Sequence, residues 1–169
     1  MPAAPTPAGE ELTRAASAPG ADAMRILRLT SSDRAAWERL FGAYAAFYEV
    51  EQDPAQRAIV WAWLMEPAHP VQGLGAFDRD GRLVGFLHFR PVPDTLGGEI
   101  GGYVDDLFVV PGARCRGVAD SLLHAVAAIG RAEGWSAIRW QTAEDNYRAR
   151  SLYDRFAART PFLTYRMNL

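Results

Sequence analysis

Hydrophobic residues recur along the chain with two periods, and each change of period marks the boundary of a predicted element. A spacing of three and four residues, which is typical of helices, runs through 35–48, 54–65 and 118–131. A fourth stretch with this spacing follows Asp145, a residue type that often caps helices. The pattern therefore predicts four helices.

Shorter apolar runs between the helices predict strands. They cover 25–29, 71–77, 83–90, 103–110, 137–141 and 162–167. The turn at 78–81 ends in Gly and predicts a hairpin between the second and third runs, whereas 91–102, with two prolines and four glycines, predicts a loop. The order of strands and helices predicts an α/β domain with a mixed, largely antiparallel sheet.

Residues 1–23 differ in composition from the rest of the chain. They are rich in Ala and Pro, and Leu12 is their only branched aliphatic residue. Such a segment cannot bury enough apolar surface to offset the entropy of ordering, and it lacks the basic start and apolar core of a secretory signal. We therefore expect a flexible extension over 1–23 and a single domain over 24–169.

The charge of the chain excludes several classes of function. The 169 residues include 18 basic and 20 acidic side chains, the net charge is −2, and every basic residue is Arg. Because Lys is absent, Schiff-base and lysine-nucleophile chemistry are excluded. We expect no nucleic-acid partner, since there is no basic excess, and no membrane span, since no long uninterrupted apolar run occurs.

The cysteine and histidine residues argue against a metal site. Cys115 is the single cysteine, which excludes an internal disulfide and a cysteine-based zinc site and favours a reducing, cytoplasmic location. His69, His88 and His124 show no metal-ligand spacing, and His124, one helical turn after Asp120, is expected on the surface. We predict no metal ion.

The segment 111–119, between a predicted strand and a predicted helix, is the first candidate for chemistry. Its small residues allow backbone N–H groups at the start of the helix to converge on one point, where the helix dipole favours a phosphate group. Arg114 and Arg116 would add positive charge there. A P-loop is excluded, because Val118 and Ala119 replace the Lys and Ser/Thr that it requires. A plain connector with helix-capping arginines is the alternative.

Two motifs in this chain resemble those of a known family. Residues 114–119 (RCRGVA) resemble the acetyl-CoA pyrophosphate loop Q/R-x-x-G-x-G/A of the GCN5-related N-acetyltransferases (GNAT), and 146–153 (NYRARSLY) resemble their N-x-x-A-x-x-L-Y helix. The likeness covers 24–169. It implies the GNAT fold, an α/β (α+β) domain whose mixed, largely antiparallel central sheet has six to seven strands and is flanked by about four helices.

A narrower likeness points to one branch of this family. Residues 103–109 (YVDDLFV), 140–142 (WQT) and 162–165 (FLTY) are similar to the branch of diamine acetyltransferases and yeast histone and polyamine acetyltransferases. One residue departs from the family pattern: Cys115 stands where members commonly have Gly, so we expect a slightly more open or stiffer loop.

The resemblance implies that acetyl-CoA is the acetyl donor. Its pyrophosphate would contact Arg114, Cys115, Arg116, Gly117, Val118 and Ala119. Backbone groups of Phe108, Val109 and Val110 would hold the pantetheine arm as an added strand would. Asn146 would hydrogen-bond the donor, and Tyr153 would protonate the departing thiolate. From spacing alone, Asn146 is equally an N-cap residue and Tyr153 part of an apolar helix face.

Two adjacent carboxylates interrupt the apolar run at 103–110, namely Asp105 and Asp106. In a regular strand their side chains point to opposite faces. An alkylamine has a pKa near ~10 and arrives protonated, so a carboxylate beside it would take the proton, directly or through water. Asp105 is the first choice for this base, and Asp106 is the alternative or a second carboxylate that binds the cation. A helix cap or an ion pair with Arg would also explain the two residues.

The acceptor side is expected just after the first predicted helix, where the resemblance places it. Glu49 lies in an acidic cluster with Glu51 and Asp53, and Tyr48 is one of several nearby aromatic residues. Tyr48 and Glu49 are therefore candidates to bind a cationic acceptor. A solvated acidic turn and an ordinary aromatic core or dimer contact are the alternatives.

These observations together predict an acetyl-CoA-dependent N-acetyltransferase. The expected acceptor is the primary amine of a small molecule, a polyamine or an amino acid, acetylated directly within a ternary complex. The alternatives are a protein or peptide N-acetyltransferase and a non-catalytic acyl-CoA-binding sensor. A homodimer is compatible with the aromatic residues that the pattern leaves exposed.

Overall fold

A five-stranded sheet with the order β1-β2-β3-β4-β5 organises the computed structural model, which describes residues 24–169. The strands are β1 (Arg25–Arg28), β2 (Gln72–Phe77), β3 (Leu83–Asp94), β4 (Glu99–Val109) and β5 (Ile138–Trp140). The helices are α1 (Arg34–Phe47), α2 (Pro54–Met65), α3 (Val118–Ala132) and α4 (Tyr147–Phe156). The described residues divide into two units, 24–139 and 140–169, and the expected extension 1–23 lies outside the described part.

The first four strands form an antiparallel meander. β1 pairs with β2, β2 with β3, and β3 with β4. In this register Leu74 of β2 lies opposite Leu87 of β3, and Phe86 of β3 lies opposite Phe108 of β4. The hairpin predicted between the second and third apolar runs is therefore confirmed.

β5 runs parallel to β4 and makes the sheet mixed. Just before β5, Ser136 N–H donates to the Ile100 carbonyl (2.9 Å), and the Ala137 carbonyl accepts from Gly102 N–H (2.8 Å). Because the partners advance in the same direction along both segments, the two strands are parallel. The predicted mixed, largely antiparallel sheet is confirmed, but with five strands rather than six to seven.

The four predicted helices are present, and residues next to a helix end determine where it begins, as α2 shows. At the start of α2 the Asp53 carboxylate accepts from Ala55 N–H (2.7 Å), and the Gln56 side chain accepts from Asp53 N–H (2.9 Å). Pro54 occupies the first helical position, where its missing N–H costs nothing. This reciprocal cap explains why Asp53 precedes a helix.

The loop predicted over 91–102 is wrong. β3 continues to Asp94 and β4 begins at Glu99, with Pro91 opposite Gly102 and Pro93 opposite Ile100. β2 ends its pairing with β3 at Phe89, so both prolines lie where β3 has a strand partner on one side only. A proline is tolerated in such an edge segment because an N–H is not needed on the open side.

The strand predicted over 162–167 is also wrong. In the described structure this segment forms neither helix nor strand, and Phe162 and Tyr165 are 85% and 88% exposed. β-propensity alone does not make a strand, because the backbone groups need a partner strand to satisfy them.

The two faces of the sheet are covered by different helices. Trp37 and Phe41 of α1 pack with Phe86 of β3 in one buried cluster, and the rings of Trp37 and Phe41 stack at 4.8 Å. Gly85, the residue before Phe86 in β3, faces the opposite way, and a Cβ there would lie 3.2 Å from Val118 of α3. Each fully buried aromatic side chain contributes about 1.5–3 kcal/mol of hydrophobic stabilisation.

Candidate active site

The two adjacent aspartates of β4 lie at an irregularity in the sheet. Asp106 is opposite His88, but the next pair is Val104 with Phe89, so Asp105 is an extra residue without a partner on β3. At such a bulge the side chains no longer alternate regularly between the two faces of the sheet. The expectation that the two carboxylates point to opposite faces is therefore corrected by the register.

Both carboxylates contact side chains that share one face of β3. Asp106 Oδ2 lies 2.8 Å from His88 Nδ1, and Arg90 Nε donates to both oxygens of Asp105 at 3.1 and 3.2 Å. His88 and Arg90 are two residues apart on a strand and so point to the same side. Phe86, two residues earlier, places this face against α1.

His88 is the buried centre of a chain of three polar groups. Its side chain is 1% exposed and the Trp37 side chain is fully buried. The Trp37 indole N–H donates to His88 Nε2 at 2.9 Å. Since an indole nitrogen can only donate, Nε2 is unprotonated, and the ring proton is on Nδ1, from which it is donated to Asp106. His88 is therefore neutral and in its Nδ1–H form.

Burial raises the pKa of Asp105, and Arg90 opposes this effect. Loss of solvent is the largest cause, while the hydrogen bonds and the positive charge of Arg90 lower the pKa and the negative charge of Asp106 raises it again. The last contribution is a lowering by His88, which acts only when its ring is protonated. The net direction is upward. The ion pair with Arg that was the alternative explanation for Asp105 is present, yet this carboxyl still titrates above its usual range.

Tyr103 of β4 contacts Arg90, the partner of Asp105. The Arg90 guanidinium carbon lies 5.3 Å from the centre of its ring. Burial, followed by the negative charge of Asp105, raises the pKa of the phenol. The phenol is therefore a neutral hydrogen-bonding group beside the two charged side chains.

Aromatic residues of α1 extend from the core towards the surface near β4. The Tyr44 ring contacts Phe108 of β4 (6.0 Å) and Tyr48 (5.1 Å), and Tyr48 contacts Phe47 (5.1 Å). Tyr48 is 42% exposed. Glu49 follows in an exposed turn with a φ of 55°. The structure thus links Tyr48 to β4 through Tyr44 and places Glu49 beside it.

Two tryptophans of α2 have different environments. Trp61 is 6% exposed and belongs to the core, where its ring lies 5.0 Å from that of Trp37. Trp63 is 42% exposed and stacks on His69 at 5.2 Å. Trp61 is thus a core residue, whereas Trp63 lies at the surface.

The loop before α3 has the backbone that its sequence motif requires. Gly117 is the N-cap of α3 with a φ of 77°, and Cys115 also has a positive φ, 61°. Cys115, which is exposed, therefore adopts the left-handed conformation that Gly adopts more readily. Val118 is 3% exposed, so its side chain belongs to the core and only its backbone can face a ligand.

Arg114 ties this loop to β4 and α1. Its Nε donates to the Val109 carbonyl at 3.0 Å, and its guanidinium lies 6.0 Å from the ring centre of Phe47 and 5.9 Å from that of Phe108. Val110 N–H donates to the carbonyl of Val84 (3.0 Å). Two of the backbone groups expected to hold a pantetheine arm therefore have partners within the protein.

In the second unit, α4 begins at the residue that the motif singles out. Asn146 Oδ1 accepts from Ala149 N–H at 3.2 Å, which makes Asn146 the N-cap where Asp145 was predicted. Tyr153, in the same helix, is partly buried, and its ring contacts Trp140 edge to face at 5.4 Å. Both local alternatives, a cap and an aromatic packing contact, are thus observed for these residues.

Sequence reasoning missed His88, Trp37 and Arg90 as parts of the site. The signal for His88 and Arg90 was present, since both are polar residues at every second position of an apolar run that includes Phe86. Trp37 lies in the stretch 35–48 that the spacing predicts as a helix, and a buried indole N–H usually needs an acceptor. Their association depends on the register between β3 and β4, which the sequence pattern alone did not reveal.

Residues 24–169 contain no group of three or more His, Cys, Asp or Glu side chains arranged to hold a metal ion. Among the helices of this same part, none is both long and apolar enough to cross a membrane.

Comparison with known proteins supports the motif resemblance. The D-amino-acid N-acetyltransferase HPA3 of Saccharomyces cerevisiae is 28% identical over 148 residues, which cover 87% of this chain and 92% of that protein. The N-acetyltransferase YhfO of Bacillus subtilis is 31% identical over 148 residues, covering 86% of this chain and 98% of that protein.

A solved structure and a family profile agree with these relatives. The crystal structure of a ribosomal-protein-alanine N-acetyltransferase from Brucella melitensis has a TM-score of 0.73 and 25% identity, covering 87% of this chain and 99% of that one. The profile described as Acetyltransferase (GNAT) family matches residues 35–158. The chain belongs to the GNAT family of N-acetyltransferases, as its two sequence motifs predicted.

Proposed function

We propose that this enzyme transfers the acetyl group of acetyl-CoA directly to the primary amine of a small molecule, a polyamine or an amino acid, within a ternary complex. The observation that carries the proposal is the pair Asp105 and Asp106, which contact two side chains on one face of β3. Members of the family use acetyl-CoA as the acetyl donor, and the relative from Saccharomyces cerevisiae is named for D-amino acids.

The charges around the two aspartates support a cationic acceptor. Among residues 24–169, Arg90 is the one guanidinium that forms a hydrogen bond with them, and His88 is neutral because its Nε2 accepts from Trp37. With both carboxylates ionised, negative charge therefore exceeds positive charge by one. A protonated amine would restore neutrality in this partly buried setting, where opposite charges attract more strongly than in bulk water.

Asp105 is the proposed base. An acceptor amine with a pKa near ~10 arrives as an ammonium ion. Burial raises the pKa of Asp105, which brings it nearer to the operating pH and makes it a better proton acceptor than an ordinary aspartate. The proton passes from the ammonium nitrogen to Asp105, directly or through water, and Asp106 binds the same cation. Tyr48 and Glu49 would contact the more distant part of the acceptor.

The loop and α3 are the proposed site for the pyrophosphate of acetyl-CoA. The left-handed conformation of Gly117 starts α3 and leaves no side chain over its N-terminal N–H groups, where the helix dipole favours an anion. Arg116 is exposed and would add charge. The full set proposed for acetyl-CoA is Phe108, Val109, Val110, Arg114, Cys115, Arg116, Gly117, Val118, Ala119, Asn146 and Tyr153.

Transfer then requires one bond to form and one to break. The deprotonated amine nitrogen attacks the thioester carbon of acetyl-CoA, and the backbone N–H near Val109 would polarise its carbonyl oxygen. When the carbon–sulfur bond breaks, the Tyr153 hydroxyl donates its proton to the departing thiolate, and the second proton of the amine nitrogen returns to the Tyr153 phenolate, directly or through water. The products are the N-acetylated amine and CoA.

The test is release of free CoA from acetyl-CoA across a panel of amines. The panel holds spermidine, a diamine, L- and D-amino acids, an aminoglycoside and a histone-tail peptide. Turnover with one small amine and not with the peptide would support the proposal. Turnover with the peptide alone would indicate a protein N-acetyltransferase, and tight acetyl-CoA binding without turnover would indicate a sensor.

A second acceptor class follows from one comparison. The Brucella melitensis relative is named a ribosomal-protein-alanine N-acetyltransferase, so a peptide that begins with Ala belongs in the panel, with the same peptide carrying a blocked amino terminus as its control. The cytoplasmic location and the homodimer expected from the sequence stay predictions.

A further inference from the structure

Two hydrogen bonds link the side chains of Trp37, His88 and Asp106 into one chain of polar groups. Trp37 and His88 are both almost completely buried, and the two hydrogen bonds measure 2.9 and 2.8 Å. Asp106 is at the outer end, with its side chain 25% exposed. This hydrogen-bonded chain therefore runs from the hydrophobic core to a partly exposed carboxylate, on the face of the sheet that also carries the candidate base Asp105.

Each hydrogen bond in this chain has only one possible direction. The Trp37 indole can donate but not accept, so His88 Nε2 must accept and Nδ1 must carry the proton. The Nδ1–H group then donates to Asp106 Oδ2, and a hydrogen bond to a carboxylate is stronger than one between neutral groups. The other oxygen, Oδ1, has no hydrogen-bond partner among residues 24–169.

We propose that His88 is a positioning residue that, held in its Nδ1–H form by Trp37, fixes Asp106 so that its free oxygen Oδ1 receives the ammonium group of the acceptor. This inference rests on the function proposed above and assigns separate roles to the two carboxylates. Asp105 takes the proton, and Asp106 holds the cation. His88 acts only through Asp106 and touches neither substrate.

Separate roles predict a specific kinetic signature. Loss of the His88 donor would let the Asp106 carboxylate turn away and would weaken binding of the amine. The KM for the amine should then rise by about tenfold to a hundredfold, the range expected when a charged hydrogen bond is lost. The kcat at saturating amine and the KM for acetyl-CoA should change little, because Asp105 and the loop before α3 are untouched.

Two variants of nearly equal shape isolate the donor. In His88→Asn the amide nitrogen occupies the place of Nδ1 and can still donate to Asp106, whereas His88→Leu has the same branching and no donor. Both variants remove the acceptor for Trp37, so they share any cost to the core. We expect the amine KM of His88→Leu to exceed that of His88→Asn by about tenfold. His124→Leu, at a histidine that is 65% exposed, is the control.

The kinetic outcomes separate the inference from the function on which it rests. Equal amine KM values for His88→Asn and His88→Leu would overturn the positioning role while the enzyme still acetylates amines. A fall in kcat with an unchanged amine KM would also overturn it. Failure of the wild-type enzyme to release CoA with any amine would instead overturn the proposed function.

A direct measurement of the ring proton does not depend on activity or on a variant that folds. Nitrogen NMR of the histidine-labelled wild-type protein should show His88 with a protonated Nδ1 and an unprotonated Nε2 at neutral pH. In Trp37→Phe this preference should weaken, because the donor to Nε2 is gone. A protonated Nε2 in the wild-type protein would refute the positioning chain whatever the kinetics show.

Discussion

Two opposing effects set the pKa of Asp105, and Arg90 provides the one that lowers it. Burial raises the pKa of this carboxyl, and the hydrogen bonds and charge of Arg90 lower it. The ion pair is partly exposed, with 39% and 27% of the two side chains accessible, so it contributes little to stability. Its effect is on the pH at which the base becomes available.

Replacing Arg90 should therefore move the acidic limb of the pH–rate profile. Under the proposed mechanism, the kcat/KM of the wild-type enzyme should rise as Asp105 loses its proton. In Arg90→Gln the cation is gone, the pKa of Asp105 rises further, and the limb should shift to higher pH. The measurement is kcat/KM for the amine against pH, with Arg34→Gln, at an exposed ion pair with Glu38, as the control. An unmoved limb would mean that another group titrates.

The role proposed for Tyr153 gives a second prediction at the scale of the residue. Tyr153→Phe keeps the ring contact with Trp140 but removes the hydroxyl, so kcat should fall by about a hundredfold or more, as expected for loss of a general acid. The Kd of acetyl-CoA should hardly change. Tyr147→Phe on the same helix, at a residue 70% exposed, is the control, and unchanged turnover in Tyr153→Phe would exclude the acid role.

At the scale of the element, the start of α3 depends on the left-handed conformation of its N-cap, Gly117. Gly117→Glu should raise the Kd of acetyl-CoA at least tenfold, equivalent to about 1.4 kcal/mol, because a carboxylate would lie where an anion should bind. Gly117→Ala shares the strain of a φ of 77°, about 1–2 kcal/mol, without the charge. Binding of acetyl-CoA by the Glu variant as tightly as by the Ala variant would refute the loop assignment.

The close packing of β4 against Trp135 requires Gly at position 102. A Cβ at this position of β4 would lie 2.3 Å from the Trp135 ring. Gly102→Ala should therefore lower the free energy of unfolding by about 1–3 kcal/mol. Gly42→Ala in α1, where no neighbour lies within 4 Å, should instead raise it by about 0.5–1 kcal/mol. Urea unfolding of both variants measures the difference, and equal stabilities would contradict the contact.

At the scale of the whole molecule, one surface ion pair joins distant parts of the chain. Arg139 donates to Asp94 Oδ2 at 2.8 Å, across the ends of β3 and β5. This hydrogen bond, followed by those from the N–H groups of Gly97 and Leu96, holds the pKa of Asp94 below its usual range. The interaction therefore favours the folded state above the pH at which the unfolded carboxyl titrates.

This linkage predicts how stability changes with acid. The contribution of Asp94 is fully present above the unfolded pKa of about 4 and is lost as the pH falls through the lower folded pKa. Asp94→Asn cannot titrate, so its Tm should fall less than that of the wild type between neutral pH and pH values below both pKa values. Asp80→Asn, at a more exposed ion pair with Arg82, is the control. Parallel Tm curves for Asp94→Asn and wild type would exclude the linkage.

Features whose signals lie within one or two turns of the chain could be predicted from the sequence alone. Helical spacing placed α2 at the observed boundaries and the other three helices within a few residues. The motifs at 114–119 and 146–153 predicted the family, since a loop that exposes backbone N–H groups needs small residues in a fixed order. The left-handed conformation of Gly117 is a finding of the structure.

Only the tertiary structure decided which side chains of different strands come together. The bulge at Asp105 depends on the register of β3 against β4, and that register brings both carboxylates to the face of His88 and Arg90. Trp37 reaches His88 from a helix 51 positions away in the sequence. Such contacts are fixed by packing between distant segments, and a local pattern of apolar and polar residues carries no information about them.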